Sequence, residues 1–260
     1  MRITLQIIHL TDLHLRADAD ARLHGWLVED AFQRVLAAAL EALPRPDAIV
    51  LGGDLVDDES VRGYKRLDST LARLPCPVLA MAGNHDDPLR MAQTLEHAVV
   101  HERLRVGEWQ LMALDSHING SEAGELGGQQ LERLDGWLAE NTAPTLIFVH
   151  HPPINVGAAW IDAIGLHDRD ALERVVAGRA HVKAVLCGHA HQAAELDFAD
   201  RPCLVTPSTM RQFAPGAHSF TDDPARAPGY RLIEIAADQS FETTVKRVRS
   251  ATAACGQIWG

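Results

Sequence analysis

Five segments of the sequence place Asp, Asn or His side chains directly after an apolar run. Histidine is the commonest metal ligand and the usual proton carrier near neutral pH, and the chain has 14 histidines against six phenylalanines and two tyrosines. Such a set predicts a site for metal-assisted or acid–base chemistry. Its members are Asp12 and His14, Asp54, Asn84 and His85, His150 and His151, and His189 and His191.

Each of these residues has an ordinary explanation when taken alone, because Asp and Asn form turns and most single histidines are surface or core residues. Their joint occurrence favours a metal site. Mixed Asp, Asn and His ligands without a thiolate suit Fe, Mn, Zn or Co. Seven or so ligands are too many for one ion but suit two divalent ions that share a bridging carboxylate, as in two-metal phosphoester hydrolysis.

The elements that carry these residues alternate between strands and helices. Apolar runs predict strands at residues 3–10, 48–51, 77–82, 145–149 and 182–187, and helical periodicity predicts helices at 28–43, 60–74 and 129–141. This order is typical of an α/β fold. Because ligands of open α/β sheets bind beyond the carboxyl ends of the strands, the five segments are expected to converge in one pocket.

The later part of the chain has a different texture. Short strands are predicted at 195–198, 202–206, 230–235 and 241–248, with a long loop at 207–229, which favours antiparallel pairing. No linker or repeat divides the chain, so one domain is expected over residues 1–249, followed by a C-terminal tail at 250–260.

Composition excludes several classes of protein. With 47% hydrophobic and 23% charged residues the chain is predicted to be globular. A formal net charge of −11 disfavours nucleic acid and anionic membranes as partners. The four cysteines form no C-x-x-C pair, and no secretory signal or stretch of about eighteen apolar residues is evident, so a cytoplasmic protein is expected. The oligomeric state stays open, with a homodimer as one option.

The motifs as a set resemble the calcineurin-like metallophosphoesterase superfamily. They are D-L-H at 12–14, G-D at 53–54, G-N-H-D at 83–86, H-H-P-P at 150–153 and G-H-A-H at 188–191. The segments H-L-T-D-L-H-L, G-A-A-W-I-D-A-I-G-L and T-P-S-T-M-R-Q-F are further similar to the bacterial class III cyclic nucleotide phosphodiesterases. The resemblance implies two mixed β-sheets packed as a sandwich and flanked by helices.

The resemblance also implies roles for individual residues. One metal ion would be held by Asp12, His14, Asp54 and His191, and the other by Asp54, Asn84, His150 and His189, with Asp54 bridging. His85 would contact the phosphate and act as a general acid toward the leaving oxygen. A substrate phosphate would lie against His14, Asp54, Asn84, His85 and His191.

The activity that this resemblance implies is hydrolysis of 3′,5′-cyclic AMP to 5′-AMP by a metal-activated hydroxide, with a small-molecule substrate. A glycerophosphodiesterase, or another small-molecule phosphodiesterase of the superfamily, is the alternative, because the ligands do not report what the phosphorus carries. The net charge disfavours a nuclease. A non-catalytic scaffold is disfavoured because no ligand of the motifs is missing.

Several other residues have open or ordinary roles. His9 is expected to be a packed strand residue and His151 to support the ligands. Trp160 and Asp162 either shape a nucleotide pocket or pack and cap a loop. His218, in the long loop, is a surface residue unless that loop approaches the pocket.

Overall fold

Two six-stranded sheets form the centre of the computed structural model, which describes residues 3–249. The predicted tail at 250–260 lies outside the described residues. In chain order the strands are β1 (Ile3–Leu10), β2 (Arg22–Leu23), β3 (Trp26–Leu27), β4 (Ala48–Gly52), β5 (Val78–Met81), β6 (Val99–Val100), β7 (Arg103–Val106), β8 (Trp109–Leu114), β9 (Thr145–Val149), β10 (Val182–Cys187), β11 (Ala194–Phe198), β12 (Arg201–Val205), β13 (Gly229–Ala236) and β14 (Phe241–Arg247). The helices are α1 (Val28–Ala42), α2 (Val61–Leu71), α3 (Pro88–Thr94), α4 (Gly127–Glu140), α5 (Ala159–Asp162) and α6 (Arg169–Val176).

Both sheets are mixed. The first has the order β14-β13-β1-β4-β5-β6, in which β1, β4, β5 and β6 pair in parallel and β13 pairs antiparallel with β1 and β14. The second has the order β11-β12-β10-β9-β8-β7, in which only the edge strands β11 and β7 pair antiparallel. The predicted class, a sandwich of two mixed sheets flanked by helices, is confirmed.

Side-chain alternation along the strands produces the layers. In β4, Val50 faces the second sheet, whereas Ile49 and Leu51 face the helices, so that all of the strand is buried. Helices α1 and α2 cover the outer face of the first sheet, and α4 and α6 cover that of the second. Burial on both faces explains why these strands have continuous apolar sequences.

The predicted strands and helices are all present, with ends shifted by a few residues. The antiparallel pairing expected late in the chain is found for β11 with β12 and for β13 with β14. Sequence analysis assigned no element between residues 83 and 128, where the structure places α3 and β6 to β8. None of the helices described within residues 3–249 is long and apolar enough to span a bilayer.

Candidate metal centre

The loops that follow β1, β4, β9 and β10 are hydrogen-bonded to one another. The amide of His14 donates to the Asp54 carbonyl oxygen at 2.8 Å, within the first sheet. Between the sheets, His150 Nδ1 lies 2.7 Å from the Gly52 carbonyl oxygen, and the His189 amide donates to Asp12 Oδ1 at 3.1 Å. Together these bonds hold the strand-end side chains in one cleft.

The backbone at these strand ends is unusual. Asp12, His14, Asp54, His189 and His191 all have φ between 48° and 63°, in the left-handed region. Asp, Asn and His tolerate this region better than most residues, yet each such residue costs on the order of 1 kcal/mol. Five of them in neighbouring loops indicate that the chain accepts backbone strain in order to aim these side chains.

Four side chains form a first group of candidate ligands. One potential ligand atom from each of Asp12, His14, Asp54 and His191 lies within 4.8 Å of the others, and all four residues are buried. His191 Nε2 is 3.3 Å from Asp12 Oδ1, and His14 Nε2 is 3.6 Å from Asp54 Oδ2. This is the set that the family resemblance implied for one ion.

A second group meets the first at Asp54. Its other carboxylate oxygen, Oδ1, lies 3.4 Å from His150 Nε2. Asn84 Oδ1 lies 3.0 Å from His189 Nδ1, and the rings of His150 and His189 are 5.2 Å apart. The structure therefore brings all seven predicted ligands together, with one oxygen of Asp54 directed to each group.

The hydrogen bonds of three histidines show which ring nitrogen of each is available to bind a metal ion. Nδ1 of His14 faces Asp57 Oδ1 at 3.2 Å, Nδ1 of His191 faces the Arg211 carbonyl oxygen at 3.0 Å, and Nδ1 of His150 faces the Gly52 carbonyl oxygen. Those partners only accept, so Nδ1 of each ring carries a proton, and Nε2 presents a lone pair whenever the ring is neutral.

The Nε2 atoms of these rings lie close to carboxylate oxygens. His14 Nε2 and His191 Nε2 are 3.2 Å apart, beside the carboxylates of Asp12 and Asp54. His150 Nε2 and His189 Nε2 are buried without a hydrogen-bond partner in the described part of the chain. A cluster of nitrogen and oxygen lone pairs fits divalent cations, and the outer hydrogen bonds are those that orient metal-binding histidines.

Burial and neighbouring charges shift the pKa values of the candidate ligands. Burial pushes the pKa of Asp54 upward, but His150 and His85 outweigh burial and hold it well below its usual value. Burial lowers the pKa of His189 to about 3, which keeps this ring neutral. An ionised carboxylate and a neutral imidazole are the states that bind metal ions. His150, whose pKa burial lowers but Asp54 raises to about 9, would therefore lose its Nε2 proton when an ion binds.

His85 lies beside the ligands. Its amide donates to Asp54 Oδ1 at 2.9 Å, while its ring is 44% exposed to the cleft, with Nδ1 3.2 Å from Asp57 Oδ1. The negative charge of Asp54, followed by the hydrogen bond to Asp57, raises the pKa of His85 to about 9 despite burial. The ring thus lies at the edge of the candidate metal centre, where these two carboxylates favour its protonated form.

Sequence analysis missed two carboxylates of this site. Asp57 faces both His14 and His85, and it also pairs with Arg16 at 3.2 Å. Asp86 is buried and accepts from the amides of Leu55, Val56 and Gly83. The spacing G-D-L-V-D was the only signal for Asp57, and Asp86 is the last residue of the motif G-N-H-D.

Among the residues with open roles, only His151 falls in a group of potential ligands in the described part of the chain, with His150 and His189. His9 is buried, with Nδ1 2.8 Å from Thr206 Oγ1, and both ring nitrogens of His151 have partners, Ser116 Oγ at 2.8 Å and the Glu122 carbonyl oxygen at 3.2 Å. Trp160 lines the cleft above the candidate ligands.

Two residues lie apart from that cleft. Asp162 accepts hydrogen bonds from the amides of Val156 and Gly157, so that it caps its own loop. His218 is exposed and is absent from the cleft lining, whereas His24, which is also exposed, lines the cleft.

Comparison with known sequences gives one consistent result. Residues 5–193 match the family model described as calcineurin-like phosphoesterase. The chain is 38% identical over 250 residues to the 3′,5′-cyclic adenosine monophosphate phosphodiesterase CpdA of Escherichia coli K12. That alignment covers 94% of this chain and 90% of the relative. It is 34% identical to the CpdA of Pseudomonas aeruginosa, over 93% of this chain and 89% of the relative.

Comparison with solved structures supports the fold. A dimetal phosphatase from Danio rerio superimposes with a TM-score of 0.63 at 15% identity, over 94% of this chain and 99% of that one. The purple acid phosphatase PPD1 of yellow lupin gives a TM-score of 0.65 at 13% identity, over all of this chain and 53% of that one. The family model matches most of the chain's length, and the fold and the convergent ligand groups agree with it. This chain therefore belongs to the calcineurin-like phosphoesterase family.

Proposed function

We propose that the protein is a dinuclear metal-dependent phosphodiesterase that hydrolyses 3′,5′-cyclic AMP to 5′-AMP. The observation that carries the chemistry is the position of Asp54, whose two oxygens face two separate groups of nitrogen ligands at 3.4 and 3.6 Å. The substrate rests on the relatives named as cyclic AMP phosphodiesterases, which match this chain at 34–38% identity over nearly its whole length.

The ligand sets of the proposal follow the two groups. Asp12, His14, Asp54 and His191 would hold one ion, and Asp54, Asn84, His150 and His189 the other. Two divalent ions bound there supply positive charge to a phosphodiester and lower the pKa of water. The absence of a thiolate ligand favours Fe, Mn, Zn or Co among the candidates.

The chain's own residues orient the substrate. The phosphate would lie against His14, Asp54, Asn84, His85 and His191, the side chains that line the floor of the cleft. Because all except His85 are buried or partly buried and fixed by the strand-end loops, the reacting phosphorus is held in one orientation.

His85 is proposed as the catalytic acid. A water molecule loses one proton to the solvent as its oxygen adds to phosphorus, and the bond between phosphorus and the 3′-oxygen breaks. The 3′-oxygen takes a proton from His85, and His85 then regains a proton from the solvent. Asp57 keeps Nδ1 of His85 occupied, so that Nε2 is the nitrogen free to reach the leaving oxygen. Cations bound at Asp54 would offset that carboxylate, leaving Asp57 as the group that retains the proton on His85.

We place the protein in the cytoplasm on the ground of its cysteine usage. The four cysteines are widely spaced and form no C-x-x-C pair, which is typical of reducing surroundings rather than of a disulfide-rich secreted domain.

A substrate panel tests the proposal. Purified protein loaded with Mn²⁺ or Fe²⁺ would be assayed with cyclic AMP, cyclic GMP, a 2′,3′-cyclic nucleotide and glycerophosphoethanolamine. We expect cyclic AMP to give 5′-AMP and no 3′-AMP. A kcat/KM for glycerophosphoethanolamine tenfold above that for cyclic AMP, about 1.4 kcal/mol of transition-state preference, would replace the substrate with a glycerophosphodiester.

A further inference from the structure

An aromatic wall rises from one side of the candidate metal centre. It belongs to a cleft of about 650 Å³ and consists of Trp160, Phe213 and Phe220, with the Arg211 side chain alongside. The cleft is also lined by Leu23 and His24, at the turn between β2 and β3. Neither the ligand chemistry nor the fold requires aromatic rings at this place.

The rings form a continuous path away from the candidate ligands. The ring of His191 stacks on Phe213 with centroids 4.2 Å apart and planes 16° apart. Phe213 in turn contacts Phe220 at 5.2 Å and Trp160 at 4.9 Å. The wall therefore begins at a proposed metal ligand and extends toward the mouth of the cleft.

Phe220 is the exposed member of this wall. Its side chain is 51% exposed, whereas Phe213 is 5% exposed. Within residues 3–249 the other large exposed hydrophobic residues are Val61, Leu89 and Val99, and none of them lines the cleft. An apolar ring left open inside a binding cleft indicates a surface that a ligand covers.

The loop that carries Phe220 is fixed in place. Phe213 forms an antiparallel bridge with Asp222, and the Ala214 amide donates to the Thr221 carbonyl oxygen at 2.9 Å. The Ala159 amide donates to the Ala217 carbonyl oxygen at 3.0 Å, which ties the loop to α5. The Arg211 guanidinium lies over the rings of Phe213 and Phe220, 5.1 and 4.8 Å from their centroids. A ring held in this way loses little conformational entropy when a ligand binds.

We propose that Phe220, backed by Trp160, Phe213 and Arg211, is the platform on which the nucleobase of the substrate stacks. The proposal rests on the proposed function, since it takes a nucleotide phosphate to lie at the metal centre. A nucleotide has one charged end and one flat aromatic end, and the cleft offers cation ligands at its floor and aromatic rings directly beside them. Any nucleobase can stack on an aromatic ring. The platform would therefore increase affinity for every base and would not distinguish bases by their exocyclic groups.

Two product-like inhibitors isolate the contribution of the base. 5′-AMP and ribose 5-phosphate carry the same phosphate on the same sugar and differ by the adenine. Their inhibition constants would be measured against hydrolysis of bis(4-nitrophenyl) phosphate by the metal-loaded protein. We expect 5′-AMP to bind about tenfold or more tightly than ribose 5-phosphate, in line with stacking of one base on an aromatic side chain.

Variants of Phe220 test whether its ring causes the ratio of the two inhibition constants, ribose 5-phosphate over 5′-AMP. Phe220→Ala should reduce it to about threefold or less while the inhibition constant of ribose 5-phosphate stays unchanged, and Phe220→Tyr, which retains the ring, should restore it. Leu89→Ala, an exposed apolar side chain outside the cleft, is the matched control and should leave it unchanged. A ratio near one in the unaltered protein, or an unaltered ratio in Phe220→Ala, overturns the proposal. Cyclic AMP hydrolysis is measured separately, so that a wrong substrate assignment is distinguished from a wrong platform.

Discussion

Asp57 and His85 meet at 3.2 Å between Oδ1 and Nδ1. The same carboxylate oxygen is 3.2 Å from Nδ1 of His14, so that one side chain orients both a proposed ligand and the proposed acid. Burial pushes the pKa of Asp57 upward, but its hydrogen bonds to the two histidines outweigh burial and hold the pKa below its usual value. Asp57 is therefore ionised while it accepts hydrogen bonds from both histidine rings.

Asp57→Asn tests this shared role. The substitution keeps the shape but removes the charge that faces both rings, and we expect activity to fall about 10- to 100-fold, the range for outer partners of metal-binding histidines. In a His85→Ala background the same substitution should cost less, because one of its two targets is gone. Steady-state kinetics of the two single variants and the double variant measure this coupling, and equal costs in both backgrounds would contradict it.

Removal of metal should abolish hydrolysis. The two ligand groups predict two divalent ions per chain, and Asp54→Asn should be the most damaging carboxylate substitution because Asp54 faces both groups. Elemental analysis before and after chelation, with activity measured on the same samples, checks the count. Full activity with one bound ion or none would contradict a two-metal mechanism.

His85→Ala should separate proton transfer from metal binding. The ring belongs to neither predicted ligand set, so both ions and the fold should be retained while turnover falls by roughly 10²-fold or more. An ester with a good leaving group, such as a nitrophenyl ester, needs less protonation and should suffer less. Loss of metal from the variant would instead assign His85 a ligand role.

Much of the site could be predicted because its residues stand where strands end. Asp12, Asp54 and His189 follow runs that are recognisable as buried strands, and parallel strands bring their carboxyl ends to the same edge. Asp57 escaped prediction because its role depends on a loop conformation that sequence periodicity does not encode. Phe220 escaped for the same reason, since its loop is shaped by hydrogen bonds to distant elements such as α5.

The division into two sheets could not be derived from element order alone. Strand β8 is a fully buried strand that pairs in parallel with β9, but its six residues, W-Q-L-M-A-L, are too few for periodicity to distinguish strand from helix. Two-residue strands such as β2 and β3 have no periodicity at all. They pair with each other across a two-residue turn, and Leu23 and Trp26 pack against a small cluster that includes Met210.

Gly83→Ala should damage the site through one methyl group. A Cβ at this position would lie 2.2 Å from Asp54 Oδ1 and 2.7 Å from His150 Nε2, so that the side chain shared by both ligand groups must move. Displacements of about 1 Å cost on the order of 10²-fold in rate, and overpacking costs about 1–3 kcal/mol of stability. We expect lower metal content, lower kcat/KM and a lower Tm.

Gly136→Ala is the matched control for that substitution. Gly136 lies in the exposed part of α4, where an added Cβ meets no atom within 4 Å. Alanine reduces the entropy of the unfolded chain, so this variant should gain about 0.4–1 kcal/mol in the free energy of unfolding, with metal content and kinetics unchanged. Chemical denaturation and elemental analysis of both variants measure the contrast. If Gly83→Ala matched Gly136→Ala in metal content and rate, Asp54 could not be held as tightly against the Gly83 loop as the structure indicates.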